Sequence, residues 1–366
     1  MKTRTQLKKP LEAWLSDQLA ANKLGSTAYI KPLAGDASSR RYYRVHLTNG
    51  NSLILLDASN KENDTKNNWS LSNWAFLNVT HYLQDASIRV PHVLAKDLQQ
   101  GLFLLEDLGN KLFLQPLQTL IAQKKPDYNT AKLYYNKALT QLGCIQQLPR
   151  PTSFKLPDYS EALLLREMKL FEDWLLQKWL GIKLTQAEQQ KFTNVTNWLT
   201  MMIRQQPYVF THRDYHARNL MLVTLRNTQG QLVTIDYQDA VWGPLTYDLV
   251  SLLRDCYISW PEYFVDELIN TYLALYRQNN KSFSFEEFRF WFDLMGLQRH
   301  LKASGIFTRL YLRDNKCGYL SDIPRTLLYI SRVASYYQQT HFLELLIKER
   351  VLPLVIKKLN RLSEPV

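Results

Sequence analysis

Cysteine is scarce in this chain. Cys144, Cys256 and Cys317 are the three in 366 residues and none stands in CxxC spacing, which argues against a disulfide framework or a zinc site. Long apolar runs are missing too: nothing approaches the roughly 18 apolar residues that span a bilayer. Lys2 and Arg4 make the N-terminus basic, but Leu7, Leu11, Trp14, Leu15 and Leu19 are interleaved with polar residues, so no signal-peptide core follows. An arginine-rich arm and zinc-finger spacing are also absent. The net charge of +12 is spread along the whole chain, the pattern of a solvated surface rather than of a nucleic-acid-binding face. No repeat and no low-complexity tract is seen. These absences lead us to expect a cytoplasmic protein with no nucleic acid, no membrane insertion and no evident protein partner. At 46% hydrophobic residues the chain can build more than one core, and two unequal lobes fit its length.

What is present is a dense constellation, Val209-Phe210-Thr211-His212-Arg213-Asp214-Tyr215-His216-Ala217-Arg218-Asn219, followed by Val233-Thr234-Ile235-Asp236. Transfer of a γ-phosphoryl group needs a base beside the acceptor hydroxyl and a divalent ion bridging phosphate oxygens, with little covalent work left for the protein. Asp214 has the chemistry of the base. The amide of Asn219 and the carboxylate of Asp236 are oxygen ligands suited to Mg2+. Asp214 and Asn219 lie five positions apart, as in the H-R-D-x-x-x-x-N loop of protein kinases. Two apolar runs, Leu220–Val223 and Leu232–Ile235, flank the turn-rich Arg226–Gly230, which predicts a β-hairpin returning Asp236 toward Asn219. His212, His216 and Asp248 are expected to brace this loop through hydrogen bonds.

The motif His212–Asn219 resembles the HxDxHxxN loop of the aminoglycoside phosphotransferase family, and Ile235–Ala240 resembles its metal-binding segment. Within that family the chain is similar to the anomeric kinases of N-acetylmuramate and N-acetylglucosamine used in bacterial cell-wall recycling. Gly35–Val45, Gln238–Pro244, Tyr247–Tyr257 and Gln298–Lys302 carry this narrower likeness and are scattered over most of the chain. The resemblance implies an α+β, protein-kinase-like fold of two lobes, the small one β-rich and the large one mostly helical. It also implies ATP and Mg2+ as cofactors and a small-molecule amino sugar as substrate. Kinases for an aminoglycoside, choline or homoserine are the alternative, and a non-catalytic nucleotide-binding module is a third reading.

On this scheme residues 1–105 form the nucleotide-phosphate-binding lobe, 106–110 the hinge, and 111–366 the lobe holding the catalytic loop, metal site and sugar site. A helix is predicted near 5–22, with strands over Tyr29–Leu33, Arg41–Leu47 and Ser52–Leu56. Asn49-Gly50 supplies a hairpin turn between the last two. A helix over Trp69–Gln84 and short strands at His92–Ala95 and Leu102–Leu105 follow. Beyond Lys111 helices are expected near 130–148, 158–180, 185–206, 245–257, 262–279, 284–303 and, in pieces, 324–362. Ser284 with Glu287 reads as a capping box. Phosphate binding should fall to the turn Ala34–Ser39, where Gly35 lets backbone N–H groups approach closely and Ser38 and Ser39 add hydroxyls. Backbone groups at Glu106 and Leu108, in the hinge, are placed against adenine by position and by the resemblance.

Two expected kinase parts are missing. The strand Ser52–Leu56 has no lysine to pair the nucleotide phosphates, and the helix Trp69–Gln84 has no glutamate to match it. Their joint absence is consistent, because either charge left alone in a buried site is costly. Arg40 or Arg44 is the expected substitute cation. On the acceptor side Arg213, Arg218, Arg299 and Lys302 favour a neutral or acidic substrate over a polycationic one. Arg299 is the candidate for a substrate carboxylate, with Arg213 beside it and Glu167 as an acceptor for sugar hydroxyls.

Overall fold

Alternating side chains build the first of two compact units, Met1–Lys111 with Met221–Asp239. The computed structural model describes residues 7–33, 40–59, 66–223, 230–277 and 283–363. Strands β1 (Thr27–Leu33), β2 (Arg41–Leu47), β3 (Ser52–Asp57), β4 (Val93–Asp97) and β5 (Leu102–Glu106) form an antiparallel sheet in the order β1-β2-β3-β5-β4. The register pairs Ile30 with Val45, Val45 with Leu53, and Leu55 with Leu104. Successive side chains point to opposite faces, so these residues share one face, and helix α1 (Lys9–Ala21) lays Leu11, Leu15 and Leu19 on it. The predicted Asn49-Gly50 turn forms: Gly50 has φ +86° and donates its N–H to Leu47 O at 3.1 Å, a conformation that suits glycine. Helix α2 (Lys66–Asp85) brings Phe76 to the other side, edge-on to Phe103 at 5.2 Å and stacked on Tyr237 at 5.6 Å. Strands β6 (Tyr208–Thr211), β7 (Leu220–Val223), β8 (Gln231–Thr234) and β9 (Val241–Pro244) form two further pairs, β7 with β8 and β6 with β9. By compactness, residues 221–239 group with the first unit rather than with the rest of 111–366.

The second unit, Leu112–Leu220 with Ala240–Val366, is mostly helical. Its elements are α3 (Leu114–Ile121), α4 (Tyr128–Gln146), α5 (Glu161–Leu170), α6 (Gln186–Ile203), α7 (Tyr247–Leu253), α8 (Glu262–Arg277), α9 (Phe285–Asp314), α10 (Ile323–Ala334), α11 (His341–Leu345) and α12 (Leu352–Ser363). An antiparallel sheet over one unit and helices over the other make the fold α+β. No helix among the described residues is long and apolar enough to cross a membrane.

Local chemistry sets several boundaries. Glu287 N–H donates to Ser284 Oγ at 3.0 Å at the start of α9, and a reciprocal capping box closes on Thr185 and Glu188 before α6. The stretch read as one helix over 158–180 changes character: α5 gives way to π-helical turns over Phe171–Leu180, ended by Gly181 at φ +73°. Helix α3 was not foreseen, since eight residues containing Pro116 carry little intrinsic helical signal; buried Leu114, Leu117 and Leu120 hold it. Helix α9 runs past the expected end near 303 to Asp314. The small residues at 303–305 look like a break in sequence but serve a close crossing.

That crossing is tight at Gly305. A Cβ there would stand 2.3 Å from the carbonyl carbon of Leu170 and 2.4 Å from its oxygen. Gly305→Ala should therefore destabilise the protein by about 1–3 kcal/mol or more through overpacking, even though alanine favours helix by about 1 kcal/mol. Gly296→Ala on the same helix, whose Cβ would meet nothing closer than Arg254 Nη1 at 3.4 Å, is the matched control. Denaturant titration of both variants checks this, and a Gly305→Ala midpoint at or above wild type would refute it.

Candidate active site

Two buried aspartates on or just after α7 hold the loop that follows β6. Asp248 accepts the backbone N–H groups of His212 at 2.6 Å and Arg213 at 3.0 Å. Arg213 sits at φ +74°, a region that side-chain-bearing residues enter only when their surroundings hold them there. Asp255 accepts the N–H groups of Ala217 at 2.8 Å and Tyr257 at 2.9 Å. Inside the loop, Asp214 donates its N–H to His212 Nδ1 at 3.2 Å, and His216 donates its own to Asp214 O at 2.9 Å. Asn219 donates to the same carbonyl through Nδ2 at 3.1 Å, so the amide's other atom, Oδ1, is the one with ligand chemistry for a cation. The Tyr215 hydroxyl lies 2.9 Å from Ala138 O and 3.0 Å from Gln141 Oε1 on α4. The N–H groups of Phe113 and Leu114 meet Leu220 O at 2.8 Å and Ala217 O at 3.1 Å.

Charge is as tightly arranged as the backbone. Burial pushes the Asp214 carboxyl upward, but the positive charges of Lys302 and Arg213 outweigh it and hold the group below the ordinary carboxylate range. Asp214 is thus ionised at neutral pH. Asp248 is pushed up to about 7 by burial, against the two N–H groups that favour its charge. Asp255 is pushed up to about 6 for the same reason. His216 is driven down to about 3 by burial and so stays neutral.

The expected acceptor-side residues are placed differently from the sequence reading. Glu167, on α5, is buried rather than open to a ligand: Arg213 Nη2 at 2.5 Å, Lys302 Nζ at 3.3 Å, Gln298 Nε2 at 3.2 Å and the Tyr159 hydroxyl fill its oxygens. Arg213 is correspondingly engaged by Glu167. Arg299 is only 6% exposed, donates to Cys256 Sγ at 3.6 Å, and lies in the field of Asp214, Asp248 and Asp255. It works as an internal counter-ion to those carboxylates rather than as a fork presented to a ligand. Asp248 and the His212 ring hydrogen-bond the loop's backbone, whereas His216 joins it through its own backbone N–H and sets its ring edge-on to Tyr257 at 5.3 Å.

In the first unit the two candidate arginines separate. Arg44 is committed to the segment after β5: Nε pairs with Asp107 at 2.7 Å, Nη1 with Asn110 Oδ1 at 2.6 Å and Nη2 with Gly109 O at 2.8 Å. Arg40 instead lies 5.8 Å from the Phe76 ring and hydrogen-bonds Tyr42, whose ring also feels Asp236. Asp236 has φ +66° and accepts from Gln238 Nε2 at 2.7 Å. Strand β7 starts directly after Asn219, and β8 ends two residues before Asp236. The Glu106 N–H is taken by His92 O at 2.9 Å and its carboxylate by Arg89; Leu108 is partly exposed. Gly35, Ser38 and Ser39 lie outside the described residues.

Sequence reasoning missed Asp255, Tyr159, Tyr247 and Tyr257. Asp255 carried a signal, standing seven residues after Asp248 and so on the same side of the helix expected over 245–257, although α7 itself ends at Leu253. The tyrosines carried none, because only packing brings Lys302 Nζ to Tyr247 OH at 2.8 Å or Tyr159 to Glu167. As to metal, the Asn219 amide and the Asp236 carboxylate are each oxygen donors of the kind Mg2+ takes. Among the described residues no group of three His, Cys, Asp or Glu side chains that could hold a metal ion is found.

The chain is 38% identical over 324 residues to the N-acetylmuramate/N-acetylglucosamine kinase of Neisseria meningitidis serogroup B, covering 87% of this chain and 89% of that protein. It is 36% identical to the kinase of the same name from Pseudomonas aeruginosa, covering 87% and 88%. The fold matches the Plasmodium vivax ethanolamine kinase with a TM-score of 0.59 at 8% identity, over 89% of this chain and 90% of that one, a likeness of the protein-kinase-like fold alone. Residues 30–291, a stretch that takes in both the sheet of the first unit and the braced loop of the second, match the model of the phosphotransferase enzyme family, and to that family the chain belongs.

Proposed function

We propose that this enzyme is an ATP-dependent kinase for the anomeric (C1) hydroxyl of N-acetylmuramate and N-acetylglucosamine, working in the cytoplasm. The similarity to kinases named for both sugars, over 87% of the chain, carries the reading. The cationic surroundings of Asp214 support it, since they suit a neutral or acidic acceptor and not a polycation.

In the proposed mechanism Asp214 orients the acceptor hydroxyl and takes its proton as the phosphoryl group arrives in line. An anomeric hydroxyl is more acidic than an ordinary alcohol, so a carboxylate held in its charged form is base enough. Asp248 and Asp255 fix the loop so that this geometry exists before substrate binds, and Glu167 fixes Arg213 and Lys302 beside it. Bound ATP with Mg2+ supplies the phosphoryl group and neutralises its oxygens. Asn219 and Asp236 are the residues assigned to the ion, with Gly35, Ser38 and Ser39 assigned to the phosphates and the backbone of Glu106 and Leu108 to adenine. Arg40 is assigned the duty of the absent strand lysine, because Arg44 is already neutralised by Asp107.

Asp214→Asn should lower kcat by about 10²- to 10⁴-fold, the usual worth of a general base, with ATP affinity by calorimetry little changed; retained turnover sinks the assignment. Arg40→Ala should weaken ATP binding by roughly tenfold or more, as expected for loss of a charge-assisted contact, and an unaltered dissociation constant would remove Arg40 from the site. An ATP-consumption screen with N-acetylmuramate, N-acetylglucosamine, kanamycin, choline and homoserine tests the function itself. Turnover is expected with the two amino sugars, and turnover confined to the other three overturns the reading.

A further inference from the structure

We infer that Arg218 recognises a carboxylate on the acceptor sugar and so sets the preference between N-acetylmuramate, which carries a lactyl carboxylate, and N-acetylglucosamine, which does not. The inference rests on the function proposed above and assigns a specificity residue within it.

The cations around the catalytic loop differ in what neutralises them. Arg213 and Lys302 share Glu167. Arg325 pairs with Asp322 at 3.0 Å and donates to Cys256 O at 2.7 Å. Arg254 is fully buried between Glu262 and Asp293, at 2.7 Å from each, and Arg299 is buried in the field of Asp255 and Asp214. Arg213 and Arg325 are partly exposed but paired; Arg218, also partly exposed, makes neither an ion pair nor a hydrogen bond with any described residue. Its neighbours Asp322 and Asp255 feel its charge but are engaged by Arg325 and by two backbone N–H groups.

Arg218 is nonetheless held in place. Its guanidinium lies 3.7 Å from the centre of the Tyr257 ring, a cation–π contact that leaves the N–H edge of the plane for a ligand. Tyr257 is itself fixed, through its N–H on Asp255 and through edge contact with His216 at 5.3 Å. The same tyrosine, with Gln118, Ile121, Ile258, Ser259 and Arg325, lines a cleft of about 400 Å3, a volume suited to a small ligand. A stacked arginine with a vacant N–H edge is a preorganised carboxylate fork. In sequence it stands four residues after Asp214 and directly before Asn219, so it belongs to the same braced turn as the base.

The test is the ratio of kcat/KM for N-acetylmuramate to that for N-acetylglucosamine, which cancels losses of folded protein. Arg218→Ala should lower the ratio by roughly 10- to 100-fold, the worth of a hydrogen bond to a charged group, and Arg218→Lys should restore part of it. The methyl ester of N-acetylmuramate, which removes the charge from the other side, should be turned over equally well relative to N-acetylglucosamine by wild type and Arg218→Ala. An unchanged ratio in an active Arg218→Ala enzyme overturns the role of Arg218 while leaving the function standing. A wild-type enzyme silent on both sugars overturns the function and this role together.

Discussion

A carboxylate with no access to water, accepting two consecutive backbone N–H groups, is the constraint on which the site depends. Asp248 binds the amides of His212 and Arg213, and those two bonds hold Arg213 in its left-handed conformation. Without that turn the chain leaving β6 would run on extended, and Asp214 would face elsewhere. Asp255 repeats the device four residues beyond Arg213, on Ala217. Both acceptors come from a single short helix and its end, so α7 acts as a rigid bracket for the loop. Left-handed backbone at a residue with a side chain costs of order 1–3 kcal/mol, and it persists here because several bonds over-determine it.

The second organising element is charge balance in a dry interior. Burying ions is costly unless each is paired and its remaining donors and acceptors are satisfied. The second unit meets this with alternating signs. Glu167 sits between Arg213 and Lys302, and Arg299 lies among Asp214, Asp248 and Asp255. Burial alone would protonate these carboxylates, and two of them are indeed pushed toward neutrality. Asp214 is held the other way by its cationic neighbours. Two aspartates thus brace and drift toward neutrality while the third stays charged, with environment rather than residue type separating them.

Much of this was legible in the sequence. The strands of the small unit followed from alternation, with Ile30, Val45, Leu53 and Leu55 on one face, and the Asn49-Gly50 turn from backbone chemistry that few residue pairs share. The loop from His212 to Asn219 was readable because Asp214, Asn219 and the hairpin occur in the order phosphoryl transfer requires. Less legible were elements that depend on distant partners. Helix α3 has no strong local pattern, α9 crosses α5 at glycine with backbone contact, and the π-helical turns from Phe171 to Leu180 break a period that sequence alone reads as a continuous helix.

The sequence by itself determined the chemistry: a carboxylate five positions before an amide, a hairpin leading to a second acid, and the joint absence of the strand lysine and its glutamate. These are local statements about residue type and spacing, and short-range sterics and ligand chemistry decide them. Only the tertiary structure decided which charges are engaged. Glu167, Arg299 and Arg44 looked available along the chain, yet packing places Arg213 and Lys302 on the first, buried carboxylates around the second and Asp107 on the third. Ion pairing depends on through-space distance and burial, neither of which is encoded in the spacing of residues along the chain.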